Sequence, residues 1–402
     1  MSKHLINPDL CTACTTCVVS CPVTEATRKF RGPKATGPAL ERMRLSQQDR
    51  DTSLEYCSNC KNCDISCPSG VPISTLNMLA RAKQHKNTRR SIRDQILSHG
   101  EKMAKLSNVF PGAKLANIGM TFSKKLGLLD MVGIEGKAPL PPYASQTFLK
   151  QFKTIKQVSY PDKVVFFPGC FINYNDPQVG LDFVEVMQKN GYEVVVDEAF
   201  VCCGSPLVVG GFLDEAHDNA VKNCANIKKW IEKGYPVITC CTSCGLMLKQ
   251  EYQELFHLPG TAENARNIYD VMEFLQNLHD NNSLNTNFGS TASIYLYHAP
   301  CHLRAQGFGL PALDILGLVP GLKVENVDAG CCGISGNYGF KADKYAISQK
   351  IGERLFKKIK ESKVDTVISD CGTCRLQIAH GGNVRTAHPV TVLKAAYAKA
   401  GN

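Results

Sequence analysis

Two strings in the first seventy residues have the spacing of a cluster-binding loop. Cys11-x2-Cys14-x2-Cys17-x3-Cys21-Pro22 is followed by Cys57-x2-Cys60-x2-Cys63-x3-Cys67-Pro68. Thiolates are the ligands of iron–sulfur clusters, and three of them two residues apart can wrap one face of a cubane. The proline ends each loop, and the fourth cysteine points at the other cluster. The expected ligand sets are therefore crossed. Cys11, Cys14, Cys17 and Cys67 serve one 4Fe-4S cubane, and Cys57, Cys60, Cys63 and Cys21 serve the second. A pair of zinc sites is the competing reading, but four-cysteine zinc sites rarely carry this triple spacing twice.

A second style of cysteine pattern follows after a long stretch without any. Cys170, Cys202-Cys203-Gly204, Cys241 and Cys244 are repeated about 130 residues later as Cys301, Cys331-Cys332-Gly333, Cys371 and Cys374. The flanks repeat too: Pro236-Val237-Ile238-Thr239 precedes Cys241 and Thr366-Val367-Ile368-Ser369 precedes Cys371. So long a period means a duplicated domain and not a solenoid. Five cysteines are one more than a cubane or a zinc ion needs, so each repeat reads as a metal or open-cluster site. Gly204 and Gly333 leave room where backbone must approach it. Cys224 and Cys240 have no counterpart in the other repeat and read as small buried hydrophobes.

The elements that must position these residues follow from periodicity. In each repeat short apolar runs alternate with helical stretches. Lys163 to Phe167, Glu193 to Val196 and Tyr235 to Thr239 read as strands, and Val179 to Met187 and Phe212 to Ile231 as helices. Such alternation predicts a mostly parallel sheet, with ligands beyond the carboxyl ends of its strands. The cysteines fall there. The fold class expected is α+β and multi-domain: a helical two-cluster ferredoxin domain over 1–95, a linker over 96–159, and two duplicated α/β domains over 160–290 and 291–402. The two α/β domains should be related by a pseudo-twofold axis, with their cysteine loops facing a shared cleft.

Composition narrows the class. The chain has 402 residues, 20 of them cysteine, and a formal net charge of +10. No run approaches 18 apolar residues, which excludes a membrane-spanning helix. The first twenty residues have no apolar core followed by a cleavage site, so no secretory signal is expected. In a reducing compartment the cysteines should be metal ligands and not disulfides. The linker interleaves apolar and basic residues: Met103, Leu106, Phe110, Leu115, Ile118, Phe122 and Leu126 with Lys102, Lys105, Lys114, Lys124 and Lys125. Such a segment can lie in a headgroup plane, although most amphipathic helices pack on a protein core. Gly119 and Gly127 should break it into two short helices. Arg89, Arg90 and Arg93 add charge upstream. Nothing else supports nucleic acid, so no nucleic-acid partner is expected.

The layout resembles the iron–sulfur subunits of respiratory dehydrogenases and heterodisulfide reductases, and in particular the C subunits of anaerobic glycerol-3-phosphate dehydrogenases. The strings that carry it include Gly32-Pro33-Lys34, Tyr56-Cys57-Ser58-Asn59-Cys60-Lys61, Gly169-Cys170-Phe171-Ile172-Asn173-Tyr174-Asn175, Cys331-Cys332-Gly333-Ile334-Ser335-Gly336, Tyr338-Gly339-Phe340-Lys341 and His388-Pro389-Val390-Thr391. The resemblance implies a noncubane 4Fe-4S cluster in one or both repeats, with zinc as the alternative in one. Cys170, Cys202, Cys203, Cys241 and Cys244 would hold the first, and Cys301, Cys331, Cys332, Cys371 and Cys374 the second. It also implies a flavoprotein partner, menaquinone or another quinone as acceptor, and a peripheral place on the cytoplasmic face of the inner membrane.

No flavin or nicotinamide signature is present. Gly333-x2-Gly336-x2-Gly339 lacks a strand–turn–helix context. His298 and His302 bracket Cys301. Of the two, His302 is the candidate catalytic residue, beside the terminal acceptor. Two other functions compete with quinone-linked electron transfer from glycerol 3-phosphate. One is an iron–sulfur subunit of a lactate- or glycolate-oxidising complex. The other is a heterodisulfide-reductase-type catalytic subunit. A zinc-stapled interaction protein is the non-redox reading.

Overall fold

The computed structural model describes residues 7–44, 51–86, 88, 90–108 and 112–400. Arg89 and Phe110, named above, lie outside the described residues.

Two four-stranded sheets form the centre. The first contains β1 (Lys163–Phe166), β2 (Glu193–Val196), β3 (Val237–Thr239) and β4 (Ile268–Asp270) in the order β2-β1-β3-β4. The second contains β5 (Ser293–Tyr297), β6 (Leu322–Asn326), β7 (Thr366–Ile368) and β8 (Arg385–Ala387) in the matching order β6-β5-β7-β8. Every pairing is parallel. The central strands read as continuous apolar runs because helices cover both faces; β3 is buried along its whole length. The covering helices are one-sided. In Leu213–Ile231 the buried positions are Ala216, Ala220, Asn223 and Ile227, a three- and four-residue spacing that lines one face.

In each sheet the order reverses between the first and third strands. That reversal opens a crevice at the carboxyl ends of β1 and β3, and of β5 and β7. Cys170 and Cys241 flank the first crevice, and Cys301 and Cys371 the second. The fourth strands, β4 and β8, were not among the elements expected from sequence. At three residues each they are too short to show a period.

The parts share their cores. One apolar cluster runs from Phe166 and Phe183 of the first sheet domain to Tyr297, Leu316, Val390 and Tyr397 of the second. A second joins Phe30, Cys57 and Met78 of the cysteine-rich N-terminal region to Phe167, Cys203 and Leu207. The helix Ile73–His85 is buried along most of its length between the two. From it Arg81 donates to the carbonyl oxygens of Leu54, Cys57 and Val209.

Among the described residues the linker forms helices over Ile92–Ser98, Gly100–Ser107, Gly112–Lys125 and Leu128–Met131. The expected break at Gly119 is absent, because that glycine sits inside a fourteen-residue helix. Gly127, at φ +69°, does open a new turn. Lys341 pairs with Asp94 at 2.8 Å and Arg93 with Asp343 at 2.8 Å, which ties the linker to the second sheet domain. His99 and Lys102 reach Glu215 of the first. No helix among the described residues is long and apolar enough to cross a membrane.

Candidate functional site

The N-terminal cysteines form two cages. Cys11, Cys14, Cys17 and Cys67 surround one small cavity, and Cys21, Cys57, Cys60 and Cys63 another. Each cage thus takes three sulfurs from one string and one from the other. The loops have the same backbone: Ala13 and Thr15 at φ +59° and +67°, Asn59 and Lys61 at φ +55° and +63°. Alternating right- and left-handed residues turn successive N–H groups toward one concavity, which suits an anionic cluster. Burial, with Cys11, Cys67 and Cys14 nearby, pushes the Cys17 thiol up to about 11. Burial also raises Cys21, Cys60 and Cys63. Four sulfurs gathered round one small cavity can be thiolates together when a cationic centre sits among them, so the donor set fits iron.

The repeat cysteines converge in the same way beyond their strands. Cys202 Sγ lies 3.8 Å from Cys170 Sγ, and Cys332 Sγ 3.3 Å from Cys374 Sγ. The Gly333 amide donates to Cys331 Sγ at 3.3 Å, and the Cys374 amide to Cys371 Sγ at 3.4 Å. Hydrogen bonds from Cys374, against burial, bring Cys371 down to about 5. Cys202, Cys241 and Cys331 are lowered by their cysteine neighbours, whereas Cys170, Cys203, Cys244, Cys301, Cys332 and Cys374 are raised. Each repeat therefore gathers close, buried sulfurs whose protons a metal would displace. Cys240 is fully buried and Cys224 half-buried against the cores.

The two Cys-Cys-Gly turns are not equally tight. A Cβ on Gly333 would overlap the Ser348 carbonyl oxygen; on Gly204 the nearest atom is Ala216 Cβ at 3.4 Å. Both glycines have positive φ, so alanine at Gly204 costs roughly 1–2 kcal/mol from backbone strain alone. Gly333→Ala should in addition displace the second Cys-Cys loop and empty that repeat of metal. Metal per chain and thermal unfolding of the two variants check this; equal losses would refute the distinction.

The four cysteine groups are contiguous, with Cys17 of the first cage and Cys63 of the second packed in one apolar cluster. Cys60 and Cys331 lie close enough to repel as thiolates, as do Cys301 and Cys60. Cys241 and Cys371 stand in the same relation across the two repeats. The second N-terminal cage thus abuts the second repeat, and the second repeat abuts the first.

His302 is buried where three parts meet. Its Nε2 donates to the Asn59 carbonyl at 2.9 Å, and its Nδ1 is 2.9 Å from Ser243 Oγ. The carbonyl can only accept, so Nε2 carries a proton, and the serine hydroxyl can donate to or accept from Nδ1. His298 lies deeper. Burial takes its imidazole down to about 4, and its Nε2 has no hydrogen-bond partner among the described residues. A further element was not legible in the sequence. Lys61, inside the second cysteine string, is buried against Glu251 at 3.1 Å and Glu254 at 3.4 Å. Those carboxylates come from a wide π-type turn, Met247–Phe256, directly after Cys244. Only the position of Lys61 between two ligand cysteines could have drawn attention to it.

Between the repeats lies a mostly apolar cavity of about 320 Å³. Cys170, Cys203, Cys241, Cys244 and Cys371 reach it, and its polar lining includes Ser243 and His302 as well as Asn175, Asn337 and Thr373. Met103, Met120, Leu129 and Ile134 of the linker cover it. The same linker carries an exposed apolar row on its other side: Leu106, Leu115, Ile118, Phe122, Leu126 and Met131. Lys114 and Lys125 are exposed beside it.

Comparison with known proteins identifies the parts. Residues 8–71 match a 4Fe-4S dicluster domain. Residues 164–249 and 295–379 each match a Cysteine-rich domain. The chain is 36% identical to the C subunit of anaerobic glycerol-3-phosphate dehydrogenase from Escherichia coli strain K12, over 96% of this chain and 98% of that one. It is 28% identical to the B subunit of fumarate reductase (CoM/CoB) from Methanothermobacter marburgensis, over 96% of this chain and 72% of that one. Lactate utilization protein A of Geobacillus thermodenitrificans is 30% identical over 58% of this chain and 95% of its own length.

Proposed function

Because the chain belongs to the family of anaerobic glycerol-3-phosphate dehydrogenase C subunits, and is thus an iron–sulfur electron-transfer subunit of a multi-subunit dehydrogenase, we propose that it passes electrons from a flavoprotein subunit oxidising glycerol 3-phosphate to a quinone held in the cavity between its repeats. The observation that carries this reading is the cavity itself. Its volume lies at the lower end of the range for small-molecule sites, and the first repeat's metal group would fill its cysteine end and leave the rest to a quinone ring. Its walls are apolar, and repeat cysteines reach it from both sides.

We assign two cubane clusters to the crossed sets, Cys11, Cys14, Cys17, Cys67 and Cys57, Cys60, Cys63, Cys21, and one metal group to each repeat through its five cysteines. When bound, these groups supply one-electron carriers. The chain's own residues do the rest. The contiguity of the four sets supports an order of travel from the Cys14 cage through the Cys60 cage to the second repeat and then the first. His302 and Ser243 are hydrogen-bonded to each other at the cavity wall, placed to move a proton to a quinone oxygen. His302→Ala should slow quinone reduction in the assembled complex without changing metal content; an unchanged rate removes His302 from the chemistry.

The exposed apolar row and its lysines support a peripheral seat on the membrane, on the cytoplasmic face. The lipophilic acceptor would then reach the cavity past the linker helices. The test uses the whole complex with anionic-lipid vesicles. Leu115→Glu together with Phe122→Glu should abolish vesicle binding and quinone reduction while reduction of a water-soluble dye continues. Full quinone reduction by the variant would overturn the membrane and cavity assignments together.

A further inference from the structure

The two repeats are not chemically equivalent, and one difference beside their cysteines is a single side chain. His298 and Phe167 occupy the same place. Each directly follows the first strand of its sheet, and its amide donates to the third strand: Phe167 to the Ile238 carbonyl at 2.8 Å, His298 to the Ile368 carbonyl at 2.9 Å. Phe167 is fully buried and packs on Phe200. His298 is equally buried, at 2% exposure, but brings a polar ring into the same kind of core.

A buried imidazole normally satisfies its nitrogens, because an unmet hydrogen bond there costs free energy. His298 Nε2 has no partner among the described residues. A ring nitrogen of His298, Cys332 Sγ and Cys374 Sγ all lie within 4.8 Å of one another. The two sulfurs are 3.3 Å apart. Donors bound to one tetrahedral metal at about 2.0–2.3 Å stand roughly 3.5–3.8 Å apart, so the three atoms need to move little to share one. The first repeat offers no nitrogen at the matching position, only the Phe167 ring.

We propose that His298 is a nitrogen ligand of the thiophilic metal, iron or zinc, held by the second repeat, which makes that site a mixed sulfur–nitrogen centre and leaves the first repeat all-sulfur. This rests on the reading that the repeats hold metal. A neutral imidazole adds a nitrogen donor without adding charge, so the two centres differ in donor set and coordination number even with the same five cysteines. Iron–sulfur centres respond to such differences in potential.

The experiment is done on the full chain, purified without oxygen, with iron and zinc determined first. If the second repeat holds iron, protein grown on 15N-histidine should show a histidine nitrogen hyperfine coupling in the paramagnetic state. If it holds zinc, X-ray absorption at the zinc edge should show one nitrogen at about 2.0–2.1 Å beside sulfur. His298→Phe copies the first repeat and should remove either signal. Wild-type protein alone decides the matter should that variant fail to fold. A metal-loaded second repeat with a sulfur-only donor set overturns the proposal and leaves the electron-transfer reading standing. A second repeat without iron or zinc overturns both.

Discussion

Replacing Cys60 with alanine should end electron delivery to quinone while the flavoprotein still reduces a soluble dye. Cys60 is fully buried and belongs to the cage that also contains Cys21, Cys57 and Cys63. It is also the N-terminal sulfur close enough to Cys301 and Cys331 to repel them as thiolates. Its loss would therefore open the one cage that abuts the repeats. Loss of an outer partner of a metal ligand already costs about 10–100-fold, so loss of the ligand itself should exceed that. Iron should fall by about four per chain if a cubane is lost whole. Quinone reduction that persists within tenfold of wild type, with the iron gone, would show that electrons bypass this cage.

Lys61→Met should be the most damaging single change outside the cysteines. The Lys61 side chain is 4% exposed and faces Glu251, Glu254 and Asp64 at 3.1, 3.4 and 3.7 Å. Burial alone would pull its ammonium down, but Glu251, Glu254 and Asp64 outweigh that and hold it above its ordinary value. A raised lysine stabilises the fold fully below its unfolded pKa and loses that contribution only as pH rises through the folded one, so at neutral pH the contribution is whole. Glu251 runs the other way. Despite its burial, Lys61 holds it below the usual carboxylate range, so its contribution fades as pH falls through the folded value. Removing the ammonium leaves Glu251 buried without its cation, at a cost of about 3–5 kcal/mol. Lys61→Met with Glu251→Leu should recover most of that loss. Urea unfolding of the holo chain, followed at the N-terminal region, measures the cycle. A single-variant cost below about 1 kcal/mol would mean that water reaches the pair.

The cysteine spacing made much of this architecture legible. Crossed strings such as Cys11 to Cys21 and Cys57 to Cys67 can be read because ligand geometry restricts loop length. The duplicated sheets could be read from matched strands such as Val237 to Thr239 and Thr366 to Ile368. What escaped was set by tertiary contact. The strands β4 and β8 are too short for a pattern, and Gly119 stays helical because neighbouring residues favour the helix enough to carry it. The docking of Lys61 on Glu251 joins residues 190 positions apart, and no local signal marks such a pair. His302 was singled out for its nearness to Cys301, but its bond to the Asn59 carbonyl makes it a bridge between domains as well.

The cages also differ in depth. Cys14 is exposed and Cys11 and Cys67 are half-buried, whereas the three cysteines of the second string's own loop, Cys57, Cys60 and Cys63, are buried. Oxygen and peroxide attack sulfur where they can reach it. Air should therefore corrode this chain from the outside inward, with the Cys14 cage bleaching first. The repeats, where Cys170, Cys241 and Cys301 are half-buried, should come next, and the Cys60 cage, whose four cysteines are all buried, last. On the proposed order of travel, a sample left briefly in air would lose its entrance for electrons before its exit.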